Sequence, residues 1–280
     1  MPPTSPHFLA DQPRRKQCPE DQSYSSQVLQ SKLLHDTLHL AKILLVNFQA
    51  NVVALSRTRT PELQQLIEAH KDTLLSVQCD VADTPALNDA LSQADKTYGN
   101  IDGLILNAGV LDPMGRIGNT EISLDQWKTH FDVNFFSLVA TLKASLPSLR
   151  RSELGGKVVF VSSGAAVGNI AGWGPYNASK AAMNSLCRTL AQEEPEVTSV
   201  ALRPGMVDTP MQLHLRENGS QHLTTQMHDM FMETHAEGRL VKPEDAGHVI
   251  AALALRAPKS LSGRFVSWDE EDCKEFRKAQ

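Results

Sequence analysis

Apolar and β-branched residues gather in short runs along this chain: NVVALS (51–56), TLLSVQ (73–78), DGLILN (102–107), KVVFVS (157–162), TSVALR (198–203) and RFVSW (264–268). Runs of that length and composition read as strands. The stretches between them carry a helical period. TPELQQLIEAH opens with Thr60 as N-cap and Pro61 in the first turn, and TPALNDALSQADKTYG repeats the device with Thr84 and Pro85. SLDQWKTHFDVNFFSLVATLKASL (123–146) is one long amphipathic helix. Strands alternating with helices build βαβ units, and strands this uniformly apolar belong to a parallel sheet covered on both faces. Right-handed crossovers then give an α/β fold, a doubly wound parallel sheet in a single domain.

Composition narrows the picture. With 280 residues, 41% of them hydrophobic and 21% charged, the chain can bury one sizeable core. A net charge of −5 supplies no basic field for nucleic acid or an acidic membrane surface. No window reaches the apolar run of about 18 residues that a membrane span needs. Cys18, Cys79, Cys187 and Cys273 are far apart and form no C-x-x-C pair. They suggest neither a disulfide framework nor a zinc site, and a reducing compartment, the cytoplasm, is expected. Residues 1–24, with Pro2, Pro3, Pro6, Pro13 and Pro19 among polar side chains and no apolar core, read as a disordered tail rather than a signal peptide. The domain is then expected over 25–270, with a second tail at 271–280.

In open α/β sheets the ligand crevice lies at the carboxyl ends of the strands. Those ends are Ser56-Arg57, Cys79-Asp80-Val81, Asn107-Ala108-Gly109, Ser162-Ser163 and Arg203-Pro204-Gly205. Just beyond Ser163, Tyr176 and Lys180 stand four apart at the start of a helix, on one face. A phenol is a poor acid at neutral pH unless a cation stabilises its phenolate, and Lys180 can supply that cation.

With NAG at 107–109, SS at 162–163, YNASK at 176–180 and PGMVDT at 204–209 in this order, the sequence resembles the short-chain dehydrogenase/reductase family from about Leu40 to Trp268. The resemblance implies a Rossmann-like fold and hydride transfer between a nicotinamide cofactor and a carbonyl. It implies that Tyr176 is the general acid, that Ser163 polarises the carbonyl oxygen, and that Lys180 lowers the tyrosine pKa and binds the nicotinamide ribose. Asn134, in FDVNFFS, resembles the helix residue that holds a water in a proton relay. Val207 and Thr209 resemble contacts to the nicotinamide carboxamide, and Asp80 and Asn107 adenine-side residues. Bland readings stand beside these: Asn134 as a polar residue bending a helix, Ser162 rather than Ser163 at the site, Asp80 as a cap. After NVVALS the chain has Ser56 and Arg57 rather than an acidic residue, which favours NADP over NAD. The loop GWGPY and the tail LSGRFVSWDEE look most like benzil reductases and sepiapterin reductases, so a small-molecule ketone or diketone is the expected partner. A homo-oligomer is compatible with all of this.

One part of the pattern is incomplete. The family opens with a first strand and the turn T-G-x-x-x-G-x-G, whose glycines let backbone approach a pyrophosphate at a helix N-terminus. This chain has no glycine before Gly99, and an ungapped count from LAKILL puts the motif on Gln30, Ser31, His35 and Thr37. The first strand and turn are therefore expected to be degenerate or missing. Either the stretch before about Leu38 is foreign to the fold, which is the favoured account, or the chain is a cofactor-free pseudoenzyme that works as a binding protein. A nucleotide-sugar epimerase or dehydratase shares the tyrosine-lysine pair but needs more chain after Gly205 than is present here. His35 and His39 stand at i, i+4 without an evident third ligand, and no metal is expected. Finally, Met206, Met211, Met227, Met230 and Met232, with Trp173, are placed to form an adaptable apolar wall over the substrate.

Overall fold

The structure, a computed structural model, describes residues 26–30 and 34–278. The expected N-terminal tail lies outside those residues. Seven parallel strands form one sheet: β1 (Ser26–Gln30), β2 (Asn51–Ser56), β3 (Leu74–Gln78), β4 (Gly103–Leu106), β5 (Lys157–Val161), β6 (Thr198–Arg203) and β7 (Phe265–Ser267), in the spatial order 3-2-1-4-5-6-7. This is the doubly wound, Rossmann-like arrangement, in a single domain. Each apolar run of the sequence is one of the strands from β2 to β7.

Side chains alternate across the sheet and so make two cores. On one face Val52 and Ala54 of β2 pack with α1 (Leu34–Asn47) and α9 (Pro243–Arg256); on the other, Val53 and Leu55 pack with α3 (Thr84–Tyr98), α5 (Ser137–Arg151) and α6 (Gly174–Glu193). Among the described residues no helix is long and apolar enough to cross a membrane.

The first strand is degenerate in sequence but present. SQVLQ supplies only Val28 and Leu29 to the cores, yet it sits mid-sheet, with Val28 facing Val53 on one side and Leu104 on the other. Its Gln27 is fully buried between Val52 of β2 and Gly103 of β4. Space for it comes from Gly103: a Cβ there would overlap Gln27 Oε1 and lie 2.7 Å from the Ala254 carbonyl oxygen. The strand start is fixed by Asp102, whose Oδ2 accepts from Ser26 N at 2.7 Å.

Three local expectations change. Thr60 caps α2 (Pro61–Ala69), its hydroxyl accepting from Leu63 N at 3.2 Å, but α3 is capped by Asp83, which accepts from Ala86 N at 3.0 Å. Thr84 is thereby the first helical residue, because a carboxylate in extended backbone one position earlier takes the cap. The long helix at 123–146 is three pieces, α4 (Leu124–Phe131), a π-helical turn over Asp132–Phe136, and α5. The extra residue of a π turn rotates the helix face locally, and here it leaves Asn134 fully buried. Beyond 270 the chain is not a tail up to Phe276. Glu271–Phe276 is a 3₁₀ helix, and Cys273 and Phe276 complete the core against α9.

Candidate active site

A cavity of about 750 Å³ opens beyond the carboxyl ends of β4, β5 and β6. Asn107 and Gly109 after β4, Ser163 after β5, and Pro204, Val207 and Thr209 after β6 line its inner side, together with Tyr176 and Lys180 from the first turns of α6. Gly205 holds the turn after β6 at φ 80°, with Trp268 and Val241 packed so closely that a Cβ would meet each at 2.9 Å. That turn is clamped further along: Asp208 N donates to the Val241 carbonyl and Val241 N to the Met206 carbonyl, both at 2.9 Å.

Tyr176 is buried and hydrogen-bonded to the Ser163 side chain. Ser163 also accepts from Ala165 N at 3.2 Å, which fixes its rotamer. Ser162 points the other way, donating to Asn184 Oδ1 of α6 at 2.6 Å, so of the two serines it is Ser163 that meets the tyrosine. The Lys180 ammonium donates to the Val161 carbonyl at 2.7 Å and lies 5.7 Å from the Tyr176 ring centroid. It therefore stands over the ring face. Burial pushes the Tyr176 phenol above its ordinary range, opposed by the Ser163 hydrogen bond, and burial pushes Lys180 down to about 7. For both groups burial is the leading cause and acts against the charged form.

Asn134 is not among the residues that line the cavity. Its Oδ1 accepts from Val110 N at 2.8 Å, and its Nδ2 donates to the Val110 carbonyl and to His130 Nε2, both at 2.9 Å. The chain after β4 is thus pinned to the helix. His130 was overlooked in the sequence, although it stands one turn before Asn134 on the same helical face; a lone histidine in an apolar helix carries no motif.

The outer wall is largely apolar. Trp173 stacks on Phe231 of α8 (Thr225–Ala236), with centroids 5.7 Å apart and planes at 20°, and meets the Tyr176 ring edge-on at 5.5 Å. Leu111 and Leu215 of α7 (Pro210–Asn218) fill the space between, and Met206, Met211, Met227 and Met230 line the cavity as expected. Met232 does not: it is 44% exposed on the far side of α8.

A model of short chain dehydrogenases matches residues 40–220. The chain belongs to the short-chain dehydrogenase family. An oxidoreductase of Schizosaccharomyces pombe described as uncharacterized is 41% identical over 221 residues, 79% of this chain and 87% of that one. A benzil reductase ((S)-benzoin forming) of Saccharomyces cerevisiae is 37% identical over 198 residues, 69% of this chain and 75% of the relative. Among solved structures, a short chain dehydrogenase/reductase from Saccharomyces cerevisiae matches with a TM-score of 0.84 at 31% identity, covering 91% of this chain and 100% of the other. This short-chain dehydrogenase is an NAD(P)-dependent oxidoreductase, as its family is.

The two ends of a dinucleotide meet different fits in this family member. At the nicotinamide end Lys180, Val207 and Thr209 line one wall of the cavity with Asn107 and Gly109, and a ring with its ribose matches that polar, backbone-rich wall. The pyrophosphate end differs. Only Ser31, Lys32 and Leu33 connect β1 to α1, none of them glycine, and they lie outside the described residues, as do the side chains of Gln30, His35 and Thr37. Asp80 and Arg57 are not cavity residues either. Asp80 Oδ1 accepts from Ala82 N at 3.0 Å in a local turn, while Arg57 is exposed one residue past β2, its carbonyl accepting from Gln78 Nε2 at 2.9 Å. His39 of α1 reaches Glu244 at 3.4 Å, and among the described residues no cluster of three metal-ligating side chains occurs.

Proposed function

We propose that this short-chain dehydrogenase reduces ketones or diketones, aromatic ones included, to alcohols with NADPH. The observation that carries the reading is the buried Tyr176–Ser163 hydrogen bond with Lys180 beside it, on a cavity whose opposite wall is Trp173, Phe231 and methionines. A reduced nicotinamide supplies the hydride when bound. Ser163 donates to the carbonyl oxygen, Tyr176 gives it the phenolic proton, and the protonated form of Lys180 stabilises the phenolate that remains. The dry outer wall strengthens each of these interactions and accepts flat apolar substituents. Names of relatives support the substrate class: benzil reductases occur in Saccharomyces cerevisiae at 37% identity and in Bacillus cereus at 28%. An arginine, Arg57, follows β2 where an acidic residue would favour NAD, and this supports NADP.

NADPH oxidation screened against benzil, other diketones and simple ketones tests the reading. Turnover that Tyr176→Phe abolishes, with the melting temperature little changed, supports it; turnover that survives the substitution overturns it.

A second reading rests on the glycine-free, three-residue connection between β1 and α1. With side chains where backbone must approach, the cofactor phosphates lose most of their contacts, and the chain acts as a weak nucleotide binder or a binding protein. Titration calorimetry with NADPH separates the two: high micromolar or weaker affinity favours the second, and tight binding removes it.

A further inference from the structure

The residue that ties three segments of the site together is one to which neither the family motifs nor the relatives' names assign any role. His130 is 1% exposed and closes α4 one turn before Asn134. Its Nδ1 is 2.7 Å from the carbonyl oxygen of Asp112. A carbonyl only accepts, so Nδ1 carries the proton. In the neutral ring Nε2 is then a lone pair, and Asn134 Nδ2 donates into it at 2.9 Å with the Ser179 hydroxyl 3.1 Å away. Ser179 in turn donates to the Tyr176 carbonyl at 3.0 Å, within the first turns of α6. The imidazole also sets its edge toward the Tyr176 ring, 6.3 Å between centroids at 79°.

We infer that His130, held as the neutral Nδ1–H tautomer, is a positioning residue for the Tyr176, Lys180 and Asn134 group. The inference rests on the reductase reading. One ring bridges the Val110–Asp112 loop, whose Leu111 lines the cavity, the π turn that carries Asn134, and the N-terminal turns of α6 that carry Tyr176 and Lys180. Asn134 uses the lone pair: its amide donates to the Val110 carbonyl and to His130 Nε2, both at 2.9 Å, and the Ser179 hydroxyl oxygen, at 3.3 Å, is a longer contact. A second cation here would turn donor against donor. A side chain with one N–H and one lone pair at opposite ends satisfies both neighbours, whereas a hydrocarbon satisfies neither.

His130→Leu and His130→Gln therefore differ although both remove the imidazole. His130→Leu is expected to lower kcat tenfold or more with KM for the ketone within threefold, and His130→Gln to recover at least a third of the parent kcat at a similar melting temperature. The tautomer is read separately, in the cofactor-free chain, by nitrogen-15 NMR of labelled histidines. A neutral Nδ1–H resonance pattern that disappears in His130→Gln supports the inference. An Nε2–H or doubly protonated pattern at neutral pH overturns it, as does full kcat in His130→Leu, or a His130→Gln no better than His130→Leu. Tyr176→Phe in the same assay isolates the reductase reading: if it retains turnover that reading fails, and the NMR result still decides whether His130 holds the network as described.

Discussion

Lys180 shows how burial, rather than pairing, sets a side chain's behaviour. Its folded-state pKa is near 7 against a reference of 10.5, with burial as the cause. Above pH 7 the unfolded chain holds a proton that the folded chain has released, so this group makes stability rise with pH, by up to about 1.4 kcal/mol per unit. The window closes near pH 9, where Cys79, Cys187 and Cys273, each raised to about 11 chiefly by burial, together act in the opposite sense. Urea titrations at pH 7, 8 and 9 should show that slope in the parent protein and a flatter one in Lys180→Met; equal slopes would contradict the burial account. Tyr176, Lys180 and Ser163 were legible in the sequence because their spacing is a motif. The environment was not, since the spacing of Tyr176 and Lys180 does not say whether the ammonium meets the phenol oxygen or the ring face.

At the scale of elements, the strands from β2 to β7 were legible because both faces of each are buried and so its residues are nearly all apolar. β1 escaped, since Ser26, Gln27 and Gln30 break that pattern. Its packing makes a test: Gly103→Ala forces a methyl against Gln27 and the Ala254 carbonyl, and should cost about 1–3 kcal/mol by thermal or urea unfolding, as overpacked sites do. The helix cap at Asp83 and the π turn at 132–136 were hidden for a similar reason, each depending on a one-residue shift that propensities do not resolve. Helix α8 of the outer wall carries a different expectation. Phe231 stacks on Trp173 at the cavity wall, so Phe231→Ala should raise KM for an aromatic ketone by roughly tenfold, about 1.4 kcal/mol, with a smaller change in kcat. An unchanged KM for aromatic and small aliphatic ketones alike would remove that ring from the substrate wall.

For the whole molecule, the sheet order makes β1 the join between the β2–β3 edge, where Arg57 stands, and the β4–β7 part, which holds Tyr176 and its neighbours. The part that carries Ser163, Tyr176 and Lys180 keeps the family's motifs, while the connection that follows β1 lacks glycine. On the binding-protein reading, affinity for NADPH is expected in the high micromolar to millimolar range, about −4 to −6 kcal/mol. Replacing residues 1–37 by a strand ending in a glycine-rich turn should tighten it at least tenfold by calorimetry; no gain would locate the weakness elsewhere. The position of β1 also has a consequence for the order of events as the chain is made. It leaves the ribosome before either of its partners, and its second edge stays bare until β4, some seventy residues later, has followed. A bare, flat, aliphatic strand is a template for pairing with other chains. Gln27, awkward in the finished core, makes SQVLQ a poor template during that wait, and Gln27→Val should shift expressed protein from the soluble fraction into aggregates even where the purified variant is no less stable.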